Sequence, residues 1–542
     1  MLFNPEQQLC VDAINGDWVT VAGPGSGKTR VMVERYLKMR AEGISDSEIL
    51  NLTFTNAASK NMVERVSLLN ADSVFRTFHS YCLDLLKRER EHLPFPTCPS
   101  IIPVRGEQFM LMKDLLKVYP PITSYRALSE RISEWKAGNV SPEQAMEEEF
   151  SGGVTYFYAL AYRDYEIKCR EQGWLDFDSL IKETVKLLEE NKDVRSRNKR
   201  KYIAVDECQD TDTTQFQLLK LIYGGNIFVV GDENQLIYEW RSAQSGNLSN
   251  FAKSFPGART LYLGQNYRST IRLVDFFKKI LPVDNGLASH MVSMRPSAAD
   301  IRDELRFISY GSEDEEANEV LSEISERGIT DESAVLARTN RQLQLIQRRA
   351  MSRNIKAEIL GKKNVWQENE VKHLIDLTKE KANDPRPAAV VMTSLIKEHN
   401  LVYRYTNTKG GMDKDPIENM NDVVRMAGRK SKETGLPLTV PEFLDWLRKI
   451  TFMRRSKTEP ILTLSTVHQA KGREFKHVFI VGCNQGTMPH KDGELMEESR
   501  IFFVAASRAA DELQISFSKN RSQFLNDFVK DIQIFGEDYE QD

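Results

Sequence analysis

The sequence predicts an α/β protein with two parallel-sheet cores, each interrupted by a mostly helical insertion. Three observations predict it. Short apolar strands alternate with helical stretches near both ends of the chain. A glycine-rich turn joins the first strand to the first long helix. Twice, the texture changes to long, charged, helical sequence. Strands that alternate with helices pair in parallel and place ligands at their carboxyl ends.

The elements follow in order. Val19-Thr20-Val21-Ala22 reads as a buried strand, and Lys28 to Met39 as the helix after it. Leu50 to Phe54 is a second strand, with a helix from Ala57 to Leu68. Pro94, Pro96 and Pro99 then open a polar helical region that runs to about Lys201. Strands return at Tyr202 to Asp206 and at Ile227 to Gly231. A second α/β region has strands near Ala334 to Ala337, Ile461 to Thr466 and Val478 to Gly482, with helical, charged sequence between Gly361 and Thr458. The expected division is residues 1–88 with 202–263 as the first core, 89–201 as its insertion, 264–360 with 459–542 as the second core, and 361–458 as the second insertion.

Composition narrows the function classes. The 542 residues are 41% hydrophobic and 28% charged, ordinary for a globular chain with room for several domains. A formal net charge of −4 excludes a histone-like polycation but leaves room for a local basic groove. No apolar run reaches the roughly 18 residues of a membrane helix, and the first residues carry no export pattern. The 6 cysteines include no Cys-x-x-Cys, so neither a zinc ribbon nor a disulfide framework is expected. A reducing cytoplasm is the expected location. The basic run Lys192 to Lys201 and the acidic run Glu313 to Glu316 read as solvated faces.

The chemistry starts at the first turn. Ala22 fills the leading small position of Gly-x-x-x-x-Gly-Lys-Thr, and Gly23, Gly25, Ser26, Gly27, Lys28 and Thr29 follow. Backbone N–H groups of such a loop cradle phosphates, Lys28 reaches the β- and γ-phosphates, and Thr29 holds Mg²⁺. The following helix adds the positive end of its dipole. An acidic pair at a strand end should complete the site, and Asp206-Glu207 supplies it. Asp206 is expected at Mg²⁺ and Glu207 at the attacking water. The expected cofactors are ATP and Mg²⁺.

Further segments, in order, resemble the superfamily 1A DNA helicases of the UvrD/Rep/PcrA type. They include Asn4-Pro5-Glu6-Gln7, Thr53-Phe54-Thr55-Asn56, Thr77-Phe78-His79, Asp176-Phe177-Asp178 and Asp206-Glu207-Cys208-Gln209-Asp210-Thr211. Gly231-Asp232-Glu233-Asn234-Gln235 through Arg241, Gln265-Asn266-Tyr267-Arg268, Thr466 through Phe475, and Val504 through Ala509 complete the set. The resemblance implies two RecA-like motor cores, 1A and 2A, with 1B and 2B insertions, the second shorter than is usual. It implies that Gln7 reads adenine, Tyr267 stacks on the base and Glu474 meets the ribose, with Arg35 a weaker candidate for that pocket. Gln235 would sense the γ-phosphate. Arg268 and Arg508 would come from the second core to neutralise the transferring phosphoryl. Phe54, His79, Phe177, Tyr238, Trp240 and Arg241 would contact DNA, since sequence-tolerant single-strand binding uses aromatic stacking platforms.

The expected activity is ATP-dependent movement on single-stranded DNA with strand separation, 3′ to 5′ by the resemblance. The expected partners are single-stranded DNA and single/double-strand junctions, with an unidentified protein partner as a further candidate. A rival is a DNA-stimulated ATPase subunit of a larger assembly without robust unwinding of its own. A small-molecule P-loop kinase is a second rival, disfavoured by the two distant arginine motifs.

Overall fold

The computed structural model describes every residue except 1–2, 67–73, 104–105, 123, 139, 150–152, 238–246, 256, 296–303, 362–368, 403–406, 409–410, 413–414, 435, 454–459 and 536–542. The chain divides into two compact units. The first comprises Met1–Ile101, Arg170–Leu360 and Ile461–Asp542, and the second Ile102–Cys169 and Gly361–Pro460.

The first unit holds two parallel sheets. One is built from β1 (Trp18–Ala22), β2 (Ile49–Thr53), β3 (Phe75–Thr77), β4 (Arg200–Val205), β5 (Tyr223–Gly231) and β6 (Arg259–Leu263), in the order β3-β2-β4-β5-β1-β6. Period-2 alternation sorts its side chains. Val19, Leu50, Leu52, Ile203, Val205 and Val229 pack on one face with Phe78, Leu180, Ile181 and Leu218. Ala22, Tyr202, Ala204, Phe228 and Val230 pack on the other with Val31, Met32 and Tyr36. With both faces covered, these strands read as near-continuous apolar runs, which is why β1 and β4 were legible.

A single residue, Gly264, separates β6 from β7 (Gln265–Thr270), which pairs in parallel with β8 (Val292–Arg295). The second large sheet has seven strands: β9 (Leu305–Ser309), β10 (Ser333–Ala337), β11 (Ala357–Ile359), β12 (Leu462–Thr466), β13 (Phe475–Ile480), β14 (Ala509–Phe517) and β15 (Ile532–Ile534). Their order is β11-β12-β10-β13-β14-β9-β15, again all parallel. Ala334, Leu336, Val478, Ile480, Leu513 and Ile515 meet Ile501, Phe502 and Phe503 on one face. Val335, Ala337, Leu464 and Phe479 meet Val320, Leu343 and Ile346 on the other.

The second unit is helical. Its helices include Glu107–Val118, Tyr125–Ala137, Asn369–Glu380, Ala388–Glu398, Asp415–Thr434 and Val440–Met453. Val371, Leu374, Val391, Met392, Leu395, Val423 and Phe443 form a buried cluster within it. Among the described residues no helix is long and apolar enough to cross a membrane.

Several boundaries differ from the sequence reading. The first insertion was drawn to residue 201, but α3 (Phe177–Glu190) packs Leu180, Ile181, Leu187 and Leu188 into the first sheet's core. The helix expected from Ala57 to Leu68 runs Asn56–Arg65. β13 begins at Phe475 because Lys476 and His477 extend it across a register shift, polar residues that hide a strand start. Glu316, expected on a solvated acidic face, is buried. Its carboxylate accepts from the Gly482 N–H at 2.8 Å and from the Ser516 hydroxyl. The remaining acids of that run do lie on the outer first turn of helix Glu313–Glu326. In the basic run, Arg197 pairs with Glu89, and Lys201 with Glu48 at 3.4 Å.

Candidate nucleotide and nucleic-acid site

Strand order assembles the phosphate site. β1, β5 and β4 are neighbours, so their carboxyl ends bring together the Gly23–Thr29 loop, Asp206-Glu207 and the Asp232–Gln235 turn. The loop enters α2 (Lys28–Ala41), whose first residue is Lys28. Gly27 has φ +86°, and a Cβ there would stand 2.9 Å from the Gln7 amide nitrogen. Only glycine suits both conditions. Gln7 lies on α1 (Pro5–Asp12), where it forms a reciprocal capping box with Asn4. Its Nε2 donates to the Ser26 carbonyl at 3.0 Å, so the helix and the loop are held as one piece.

Arg35 was a candidate for the base pocket. In the structure its buried guanidinium donates to the carbonyls of Cys10, Ala13 and Ile14. Those are unsatisfied carboxyl-end groups of α1 and the turn after it. Arg35 therefore anchors the helix that carries Gln7.

The acidic side of the site is crowded. Asp206 is 5% exposed, and its Oδ1 has no hydrogen-bond partner. Burial, then the neighbouring Glu207 carboxylate, pushes Asp206 well above the usual carboxylate range. Glu207 is only half-buried and takes a left-handed backbone, φ 51°, uncommon for a non-glycine residue. Burial raises its pKa, but Lys28 and Lys471 outweigh it and hold the carboxyl low. Gln209 links this turn to the next strand. It donates to Glu207 Oε2 at 2.6 Å and accepts the Asp232 N–H at 2.9 Å. Asp232 in turn accepts from Gln235 Nε2 at 2.7 Å.

The second sheet contributes from the amino ends of β13 and β14. Lys471, 7% exposed, bridges Asp210 at 2.6 Å and donates to the Gln235 carbonyl at 2.7 Å. Arg508 is 1% exposed and donates to Gln235 Oε1 at 3.4 Å and to the carbonyls of Val504 and Arg473. Burial, then repulsion from Arg268, pulls its pKa down, yet a guanidinium starts high enough to stay charged. Arg268 donates to Glu474 at 2.9 Å and to the Ser507 carbonyl at 3.0 Å. Asn266 donates to the Pro24 carbonyl of the phosphate loop at 2.8 Å, and its other amide atom accepts from the Arg268 and Ser269 N–H groups. Tyr267 is exposed beside that loop. An open cleft of about 350 Å³ is lined by Tyr267, Arg268, Arg295, Glu474, Phe475 and Lys476.

The donor set suits Mg²⁺ held jointly with phosphates. Asp206 Oδ1 is buried and unpartnered, and Thr29 is the second residue of α2. Mg²⁺ takes one or two carboxylates plus substrate oxygens, a set that these two residues and a bound phosphate would supply.

Two of the nucleic-acid candidates stand beyond the ends of neighbouring strands. Phe54 follows β2, and His79 lies in the first turn of the helix after β3. Phe177, 49% exposed, begins α3 behind its Asp176 cap and meets the His79 ring edge-on at 5.3 Å. Burial pulls the His79 pKa down, which favours a neutral ring. Tyr238, Trp240 and Arg241 lie outside the described residues.

Gln209, Asp210, Asn266 and Lys471 stood within recognised segments but were given no part by sequence reasoning. A buried acid needs a buried cation, so Asp210 at a strand end was itself a signal. Nothing in the spacing pointed to Lys471 as its partner. This pair yields a prediction. Burial keeps Asp210 up at about 6 even beside Lys471. A raised acid favours the folded chain only below the unfolded value, about 3.9, and that support is lost as pH rises through 6. Lys471→Ala leaves Asp210 without its cation, a loss of about 3–5 kcal/mol once it is ionised. The variant should melt well below wild type at pH 8, with the gap narrowing at pH 5. Thermal melting at both pH values checks this.

Comparison with known proteins agrees with the order of these elements. Residues 3–256 match the UvrD/REP helicase N-terminal domain, and residues 261–398 and 390–520 match the UvrD-like helicase C-terminal domain. The ATP-dependent DNA helicase PcrA of Staphylococcus epidermidis is 28% identical, over 98% of this chain and 86% of that protein. PcrA of Staphylococcus aureus is also 28% identical, over 96% of this chain and 84% of its own length. The two matched domains follow one another along the chain, and the chain belongs to the UvrD/Rep/PcrA-type helicases, ATP-hydrolysing enzymes of DNA.

Proposed function

We propose that this chain uses ATP hydrolysis between its two sheets to move along single-stranded DNA, 3′ to 5′, and to part the duplex at single/double-strand junctions. The observation that carries the reading is Arg508, a buried arginine of the second sheet held against Gln235, at the carboxyl ends of the first. Such an arginine neutralises charge that develops on a transferring phosphoryl. The two sheets are then the motor cores 1A and 2A, and the helical stretches the 1B and 2B insertions. A cytoplasmic location is part of the same reading.

The geometry supports the following division of labour. Gln7 and Tyr267 take the adenine, and Glu474 the ribose. The N–H groups of the Gly23–Gly27 loop and Lys28 take the phosphates. Thr29 and Asp206 would hold Mg²⁺, which when bound neutralises phosphate charge. Glu207 is held ionised beside Lys28 and Lys471 and orients the attacking water as its base. Gln235 contacts both Asp232 and Arg508, so it is placed to report the phosphate's presence to both sheets. Phe54, His79 and Phe177, with Tyr238, Trp240 and Arg241 of the same core's sequence, form the DNA track. Grip that changes with nucleotide state converts turnover into motion.

Lys28→Ala should lose ATP turnover and weaken nucleotide binding. Glu207→Gln should bind ATP normally but hydrolyse it at least about 100-fold more slowly, in the range of a lost general base. Arg508→Ala should lower kcat far more than it weakens binding, since its charge acts on the transition state. DNA-stimulated ATPase beside nucleotide affinity separates the three; ordinary turnover by Lys28→Ala removes the site.

Phe177→Ala tests the track. Its ring is half exposed, so folding should change little. Loss of a base stack costs about 1–3 kcal/mol, read as roughly 5- to 150-fold weaker single-strand binding. ATPase without DNA should persist. Unchanged affinity and unwinding would take Phe177 off the track.

A further inference from the structure

Glu6 stands one residue before Gln7 on the first turn of α1, yet its carboxylate points away from the phosphate loop and reaches the turn between β6 and β7. Oε2 accepts the Gly264 N–H at 2.9 Å, and Oε1 meets His290 Nδ1 at 3.0 Å. Gly264 is the only residue between β6, the edge of the first sheet, and β7, which carries Asn266, Tyr267 and Arg268. The His290 ring stacks on Tyr262 of β6, centroids 4.3 Å apart and planes 4° from parallel. A Cβ on Gly264 would lie 2.1 Å from the His290 carbonyl oxygen, so the two segments touch backbone to backbone. At the other side of the turn, Asn4 Nδ2 donates to the Tyr267 hydroxyl at 2.7 Å.

We infer that Glu6 is a positioning residue that fixes the turn between β6 and β7 to the adenine-reading helix, and so sets ATP affinity and base preference. The inference rests on the adenine reading of Gln7 and Tyr267. The physical argument is one of degrees of freedom. Gln7 is tied to the phosphate loop through Ser26, and Tyr267 to the same loop by its N–H on the Gly25 carbonyl at 2.9 Å. A base held between them needs those two side chains at a fixed separation, and the tie between the helix of Gln7 and the turn before Tyr267 that carries charge is Glu6 on the Gly264 N–H. A carboxylate accepting a backbone N–H is a charge-assisted bond. With His290 held between Glu6 and Tyr262, Glu6 restricts the remaining freedom of that turn before ATP arrives, which is preorganisation. Glu6 touches no substrate atom in this account, so the transition state loses nothing when it is removed.

The test uses the full chain with saturating single-stranded DNA and measures KM and kcat for ATP and GTP. Glu6→Ala should raise the KM for ATP about tenfold, an ordinary coupling between sites. It should also flatten the preference for ATP over GTP and leave kcat within about twofold. Glu6→Gln keeps an oxygen for the Gly264 N–H and should restore most of the affinity. His290→Ala, at a half-exposed position, should raise KM in the same direction. A folded Glu6→Ala with unchanged KM and base preference, or with only kcat reduced, overturns the inference. If Glu6→Ala does not fold, His290→Ala decides, and an unchanged KM overturns it. Gln7→Ala and Tyr267→Ala separate the two readings. If they raise KM while Glu6→Ala does not, the tie alone fails. If they too leave KM and preference unchanged, the adenine reading falls and the tie with it.

Discussion

Acids taken out of water must be answered by cations. Asp206, Asp210 and Asp232 are buried at the carboxyl ends of β4 and β5, with Glu207 half-buried among them. The first sheet supplies Lys28 against them. Lys471 and Arg508 come from the second sheet. The charge balance of the first sheet's site therefore depends on the second sheet being there. In the proposed reading a triphosphate adds further negative charge at the same place, so its arrival and departure change how strongly Lys471 and Arg508 are held. The contact between the sheets would then be sensitive to the chemistry without any separate device. A site whose acids and cations all lay on one sheet would have no such dependence.

The hydrogen bonds around the acids carry this dependence along the backbone. Gln209 spans from Glu207 to the Asp232 N–H, Asp232 holds Gln235, and Gln235 faces Arg508. Each member is buried or half-buried, where a partly broken network is costly. The left-handed backbone at Glu207 points the same way. A residue keeps an uncommon conformation only when its surroundings over-determine it, and Gln209 with two lysines does so here.

The first half of the fold was legible because its strands are buried on both faces and end in glycine or acid. β1, β2 and β4 are mostly apolar and buried next to recognisable turns, with Thr20 and Asn51 the polar residues inside β1 and β2. Strands such as β14, Ala-Asp-Glu-Leu-Gln-Ile-Ser-Phe in its body, were not. Their early residues are polar and their place in the sheet is set by partners far along the chain. The same limit applied to the site. Lys28, Asp206 and Glu207 follow from local chemistry, a phosphate loop and an acidic strand end. Lys471 and Asn266 act on groups about 240–260 residues away, and no periodicity encodes that distance. Arg35 shows the converse error. Sequence proximity to the phosphate loop made it a pocket candidate, while the carbonyls of Cys10 in α1 and of Ala13 and Ile14 just past it take its guanidinium.

The segment Gln265–Ser269 bonds to loops of both large sheets before the chain enters the second at β9. Asn266 binds the phosphate loop through Pro24 and orders the N–H groups of Arg268 and Ser269 with its other amide atom. Arg268 then reaches Glu474 and the Ser507 carbonyl. Within five residues the chain leaves the first sheet, touches its phosphate loop, and grips the second sheet at two points. Gly264 joins β6 only to β7, and the chain enters the second sheet at β9, Leu305. The coupling at this point therefore lies in the side-chain bonds of Asn266 and Arg268 and not in a short connection. In the proposed motor, movement of the loops before β13 and β14 would pull on the phosphate loop through those two residues, which is the mechanical condition for turning a chemical step into displacement.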